Sequence, residues 1–106
     1  MRLKTPTVKT EYKIRSKVWL YPGMAGWHFV TVSEKQSKEI KKTFEGKTHG
    51  WGSLPVEVVL GKTRWKTSIF PDKKSGTYLL PLKADIRRRE GVAHGDTIHF
   101  SIQVKV

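Results

Sequence analysis

The chain has 106 residues, 37% of them hydrophobic and 28% charged, with 21 lysines and arginines against 9 acidic residues for a net charge of +12, and no cysteine. That length fits one domain around one core, and the balance is that of a chain that folds. A disulfide framework, a thiolate metal site and a cysteine nucleophile are excluded, and no stretch approaches the roughly 20 apolar residues of a membrane span. No export signal is visible either, so a cytoplasmic address is expected.

Residues 1–11 read as a basic N-terminal arm, and 12–106 as a single β-rich domain. Tyr12 to Leu20 alternates, with Tyr12, Ile14, Ser16, Val18 and Leu20 on one face and Lys13, Arg15, Lys17 and Trp19 on the other, the period-2 pattern of a half-buried strand. Pro22, Gly23 and Gly26 break it. Trp27 to Val32 then predicts a second, central strand, apolar on both faces, with Trp27 in the core.

Ser33 followed by Gln36 has the capping-box spacing, in which the serine oxygen takes the Gln36 amide and the glutamine side chain returns to the serine amide. A helix is therefore predicted from Ser33 to Phe44 or Glu45, with Ile40 and Phe44 as its buried edge and Gly46 as its stop. Residues 47–53 read as a loop around Trp51. Leu54 to Leu60 and Thr63 to Phe70 form two strands joined by Gly61-Lys62, the glycine-first form of a type II′ hairpin. The second of these strands sets Arg64, Lys66 and Ser68 opposite Trp65, Thr67 and Ile69, with Trp65 predicted in the core.

Residues 71–76 make a turn, Thr77 to Leu82 a fifth strand, and Lys83 to Glu90 a short helix stopped by Gly91. The last strand, Thr97 to Val106, is expected to bury Ile98, Phe100, Ile102, Val104 and Val106. Its other face is polar throughout.

Several ordered segments carry a resemblance: Gly26-Trp-His-Phe-Val-Thr-Val, Trp51-Gly-Ser-Leu-Pro-Val-Glu-Val-Val-Leu-Gly, Trp65-Lys-Thr-Ser-Ile-Phe-Pro, Gly76-Thr-Tyr-Leu-Leu-Pro-Leu-Lys, Ile86-Arg and Gly95-Asp-Thr-Ile. From about Tyr12 onward the chain resembles a small bacterial family, domain of unknown function nineteen-oh-five. The resemblance implies a mainly β fold, a small double-split β-barrel of about six strands with two short helices, within the ordinary range of sheet sizes. Residues 80–98 are also similar to the strand-helix-Gly-Asp-strand unit of AbrB-like DNA-binding proteins, which implies a barrel that one chain could close as a monomer.

Catalytic chemistry finds little support. The four histidines lack a metal-ligand spacing, Asp96 after Gly95 fits a turn role, and Ser68 lacks the Gly-x-Ser-x-Gly elbow. No metal or other cofactor is expected.

Charge points instead to an anionic partner. Lys13, Arg15 and Lys17 form one stripe with Trp19 beside them, and Arg64 with Lys66 forms a second. If the two strands are neighbours, five cations share one face. Nucleic acid is the expected partner, through these residues. Two alternatives stand beside it: a small-ligand barrel or minor enzyme with a pocket near Trp65, Ser68 and Arg87, and a protein-interaction module for an acidic protein.

Overall fold

A computed structural model of the chain describes residues 9–23 and 26–106, so the proposed arm, but for its last three residues, lies outside the described residues. Seven antiparallel strands curl into a half-barrel with two helices. In chain order they are β1 (Glu11–Lys17), β2 (Trp19–Leu20), β3 (His28–Thr31), α1 (Glu34–Thr43), β4 (Leu54–Leu60), β5 (Thr63–Asp72), β6 (Thr77–Pro81), α2 (Ala84–Glu90) and β7 (Thr97–Val104). The sheet order is β1-β7-β4-β5-β6-β3-β2.

This differs from the expected double-split barrel of about six strands, because the predicted first strand is two. Before Val18 the chain pairs with β7, and after it with β3. Val18 itself gives its N–H to Asp96 O (2.8 Å) and takes the Gly95 N–H on its carbonyl (2.9 Å), so a turn replaces the ladder at that residue. The switch also ends the predicted alternation. Val18 is fully buried, but Leu20 is exposed.

β5 is the other long element. Thr63 to Ile69 pairs with β4, and Phe70 to Asp72 pairs with β6, so one strand serves both halves of the sheet. The core lies on the inner face, where Tyr12, Ile14, Val30, Leu54, Val56, Val58, Leu80, Ile98, Phe100, Ile102 and Val104 interlock. Trp65 packs against this core half-buried. Val106 is exposed because β7 ends at Val104, and the last bond to β4 is Lys105 N–H to Pro55 O.

α1 begins where the capping signature places it, but only half the reciprocal box forms. The Gln36 N–H donates to Ser33 Oγ (3.2 Å), whereas the Gln36 side chain takes the Ser33 hydroxyl on Oε1 and gives its amide to Lys13 O (2.8 Å). The glutamine thus ties the helix to β1. Ile40 and Phe44 are buried as predicted.

Ser37 is buried as well. Its Oγ donates to Val32 O (3.1 Å) and accepts the Tyr78 N–H (3.0 Å), joining the helix to the ends of β3 and β6. α2 ends in a Schellman motif, with Gly91 at φ 62 and its N–H on Arg88 O, the Val92 N–H on Arg87 O, and Val92 packed on the core.

The β4–β5 hairpin keeps the predicted register, Leu60 opposite Thr63, and Gly61 sits at φ 57 while Lys62 has ordinary negative φ, the type II′ signature. A Cβ at Gly61 would run into the Glu90 carboxylate, which accepts the Thr63 hydroxyl at 2.6 Å. Gly61→Ala is therefore expected to cost about 1–2 kcal/mol through the left-handed backbone alone, with a further loss from displacing Glu90. A urea midpoint within error of the parent chain would show that the hairpin accommodates the methyl.

Trp51 is the one non-glycine residue at positive φ among the described residues (φ 64, ψ 15), a conformation that costs a side-chain-bearing residue roughly 1–2 kcal/mol. It stands in a single 3-10-like turn, Gly50–Gly52, whose helical path its left-handed backbone interrupts, and is 95% exposed.

Candidate functional site

The outer face of β1, β7, β4 and β5 carries the predicted stripes. Lys13, Arg15 and Lys17 are all exposed on β1, opposite Ser101, His99 and Thr97 of β7. Following the register across the sheet, one row runs Lys13, Ser101, Val59, Arg64 and the next runs Glu11, Gln103, Glu57, Lys66. The two stripes therefore share a face, but they are not neighbours. β7 and β4 lie between them, three strand spacings or about 14 Å.

Glu57 stands in that gap, with Arg64 at 3.9 Å and Lys105 at 3.8 Å from its Oε1. Half of the second stripe is thus turned toward a carboxylate. Trp19 does not stand with the stripe either. It belongs to β2, half-buried, with its ring 5.4 Å from Phe29 and 6.0 Å from Tyr21 and its Nε1–H donated to Thr31 Oγ1 (2.9 Å).

Along β5, side chains two apart share a face, so Arg64, Lys66, Ser68 and Phe70 form one outward row from the basic half of the sheet into the smaller half. There Phe70 lies opposite Leu79, Leu79 opposite Thr31, and Pro81 opposite Phe29. Leu80 and Val30, which alternate with these residues, are fully buried on the inner face. The smaller half therefore presents an apolar and aromatic outer surface.

Trp27 completes that surface. It was expected in the core but is 52% exposed, because it precedes β3 and falls on the same outer face as Phe29, their rings 6.0 Å apart. The apolar character of both faces of this segment is real. Its outer half is covered by aromatic rings rather than by core.

Between this surface and α2 lies a groove of about 980 Å³. Phe29, Phe70, Leu79 and Pro81 line its sheet side, Trp27 and His28 one end, and Lys83, Ala84 and Arg87 its helix side, with Lys66 and Ser68 on the β5 row. Arg87 is held in place by its Nε–H on Leu82 O (3.2 Å). Three cations border the groove and no carboxylate lines it.

Of the predicted pocket residues, Ser68 and Arg87 border this groove and Trp65 does not; of the predicted cations, Lys66 alone reaches it. Sequence reasoning missed Trp27, Phe70 and Lys83 as lining residues. The available signal was the strand row itself, since Lys66, Ser68 and Phe70 are spaced by two.

Among the described residues no group of histidines and carboxylates could hold a metal ion, and Ser68 Oγ makes no hydrogen bond to a histidine or carboxylate. Asp96 has the turn role expected of it, accepting the Ala93 N–H at 2.9 Å. The shifted titrating groups are structural: burial pushes the Tyr12 and Tyr78 hydroxyls up from 10.0, Tyr12 also feeling Thr43 in the lowering direction and Glu39 in the raising one. No helix among the described residues is long and apolar enough to cross a membrane.

A search of curated proteins finds no match to the chain. A family model described as "Domain of unknown function (DUF1905)" matches residues 15–102, which include both β5 and α2.

Proposed function

The chain belongs to the domain of unknown function (DUF1905) family, and from the geometry of its own groove we propose that it is a non-enzymatic module that binds single-stranded nucleic acid. The observation that carries this reading is the groove between the smaller sheet half and α2, where exposed Trp27 and Phe70 meet Lys66, Lys83 and Arg87 with no carboxylate among the lining residues. Aromatic faces stack bases of any sequence, each worth about 1–3 kcal/mol, while cations beside them take the phosphates. A duplex hides its base faces and gains nothing from Trp27 or Phe70. The preference is therefore for unpaired strands.

The β1 stripe of Lys13, Arg15 and Lys17 has a supporting role in this reading, drawing the polyanion toward the sheet from a distance. Its partner stripe contributes through Lys66, because Arg64 faces Glu57.

A salt titration tests the proposal. Fluorescence anisotropy of labelled oligothymidylate and oligouridylate should show binding at low salt, with log K falling against log salt at a slope of about −2, from three phosphate contacts at about −0.7 each. Duplex of the same length should bind more weakly. Absence of binding to every single strand at low salt would remove the reading. A mononucleotide that binds as tightly as the oligomer would replace it with the small-ligand pocket, since Ser68 and Arg87 border the same groove.

A further inference from the structure

A second groove, of about 830 Å³, lies between α1, the 3-10 turn and the β5–β6 turn. Its helix wall carries Lys38, Lys41, Lys42 and Glu45, and its opposite side carries Trp51, Pro71, Asp72 and Lys73. The display of Trp51 is built rather than incidental. His49 N–H donates to Ser53 O (2.8 Å), Gly52 N–H to His49 O (3.0 Å), and both the N–H (3.3 Å) and the Oγ (3.1 Å) of Ser53 to Gly50 O, so four bonds hold the turn closed.

Gly52 seats this turn against β5, where a Cβ would come within 3.2 Å of Pro71 Cγ. A large apolar ring held almost wholly in water, on a backbone that disfavours any side chain, is stabilised by whatever covers it. Four lysines line the groove against two carboxylates, and Asp72 already accepts the Ser75 hydroxyl at 2.7 Å. Lys38 pairs with Glu34 at 3.5 Å, but both are exposed and the pair weighs little.

We propose that this groove is a second position for single-stranded nucleic acid, in which Trp51 stacks a base and Lys41, Lys42 and Lys73 meet its phosphates. The proposal rests on the reading of the first groove as a nucleic-acid site. The two grooves lie on opposite faces of one hairpin: Phe70 and Leu79, paired in register, line the first, and Pro71 and Tyr78, the next pair, line the second. A short strand in one leaves the other free. Lys41 and Lys42 on one wall and Trp51 with Lys73 on the other put a ring and cations within one concave surface, the combination that base stacking and phosphate contact require.

Calorimetry with an oligothymidylate of about five nucleotides, near the lower site size of such proteins, tests this on the full chain. Two oligomers per chain are expected, falling to one in Trp51→Gly and to one in Trp27→Ala. Trp51→Gly should also raise the melting temperature, because glycine accepts the left-handed backbone. One oligomer per parent chain, unmoved by Trp51→Gly, would overturn the second site and leave the first standing. No oligomer bound to the parent chain would overturn both. A blue shift of tryptophan emission on anionic phospholipid vesicles that is lost in Trp51→Gly, with one oligomer bound per chain, would overturn the second site in favour of a lipid surface.

Discussion

Neutralising Lys66 and Lys83 together, as Lys66→Gln and Lys83→Gln, is expected to weaken oligonucleotide binding at the groove between the smaller sheet half and α2 by about a hundredfold at low salt, read in the Trp51→Gly background so that this groove is followed alone. Each lost phosphate contact is taken as about 1.4 kcal/mol, or tenfold. The salt slope should flatten by about 1.4, two contacts at about 0.7 each. Both side chains are exposed, and Lys83, which precedes α2, makes no side-chain capping bond. The fold has little reason to respond, and the melting temperature should stay close to that of the parent.

The comparison variant removes Lys13, Arg15 and Lys17. If these act at a distance, their loss should weaken binding severalfold at low salt and by little at 0.15 M, where screening extends over about 8 Å. A triple variant that abolishes binding while the groove pair binds normally would move the site back to β1.

The second large effect is on stability. Ser37→Ala is expected to cost about 2–6 kcal/mol, because it leaves both the Val32 carbonyl and the Tyr78 N–H without the buried hydroxyl that satisfies them, at about 1–3 kcal/mol each. Against a total stability of about 5–15 kcal/mol, that is a large share. Ser75→Ala, whose exposed hydroxyl bonds Asp72 and Thr77 where water can take its place, should cost less, about 1 kcal/mol. Urea denaturation of both variants checks the contrast. Equal losses would mean that water replaces the Ser37 hydroxyl.

Both predictions depend on residues whose importance differed from their sequence appearance. Ser37 sits on a lysine-rich helix and reads as another polar surface position. Three elements converge on it, and only their packing turns its hydroxyl into a junction. Lys83 reads as a cation at the start of a helix. It becomes a wall of the groove because β6 leads into α2 beside the exposed ring of Phe70.

Where local periodicity carried the information, the chain was legible. The β4–β5 hairpin, the start of α1 at Ser33, the stop of α2 at Gly91 and the alternation of β7 through Val104 all rest on neighbours within a few residues. The departures occur where a distant segment intervenes. Val18 has the pattern of a continuous strand, but the Gly95-Asp96 turn takes its backbone bonds and divides that strand in two.

Trp27 and Trp19 exchanged their expected places for the same kind of reason. Period-2 alternation tells which side chains share a face, not which face meets the core. Past the break at Val18 the chain joins the smaller sheet half, where Trp19 packs on Phe29 and Trp27 stands at the groove mouth. Register likewise placed two strands between the basic stripes.

A mainly β chain, strongly basic, with cations and aromatics set on strand faces and no conventional catalytic motif, is legible from residue order alone. Composition and spacing are local properties, readable without knowing what pairs with what. Which cations meet which rings follows from long-range pairing instead. Sheet order and the path of α2 bring Lys66, Phe70, Trp27, Lys83 and Arg87 around one groove, and those long-range pairings have no periodic signature in the chain.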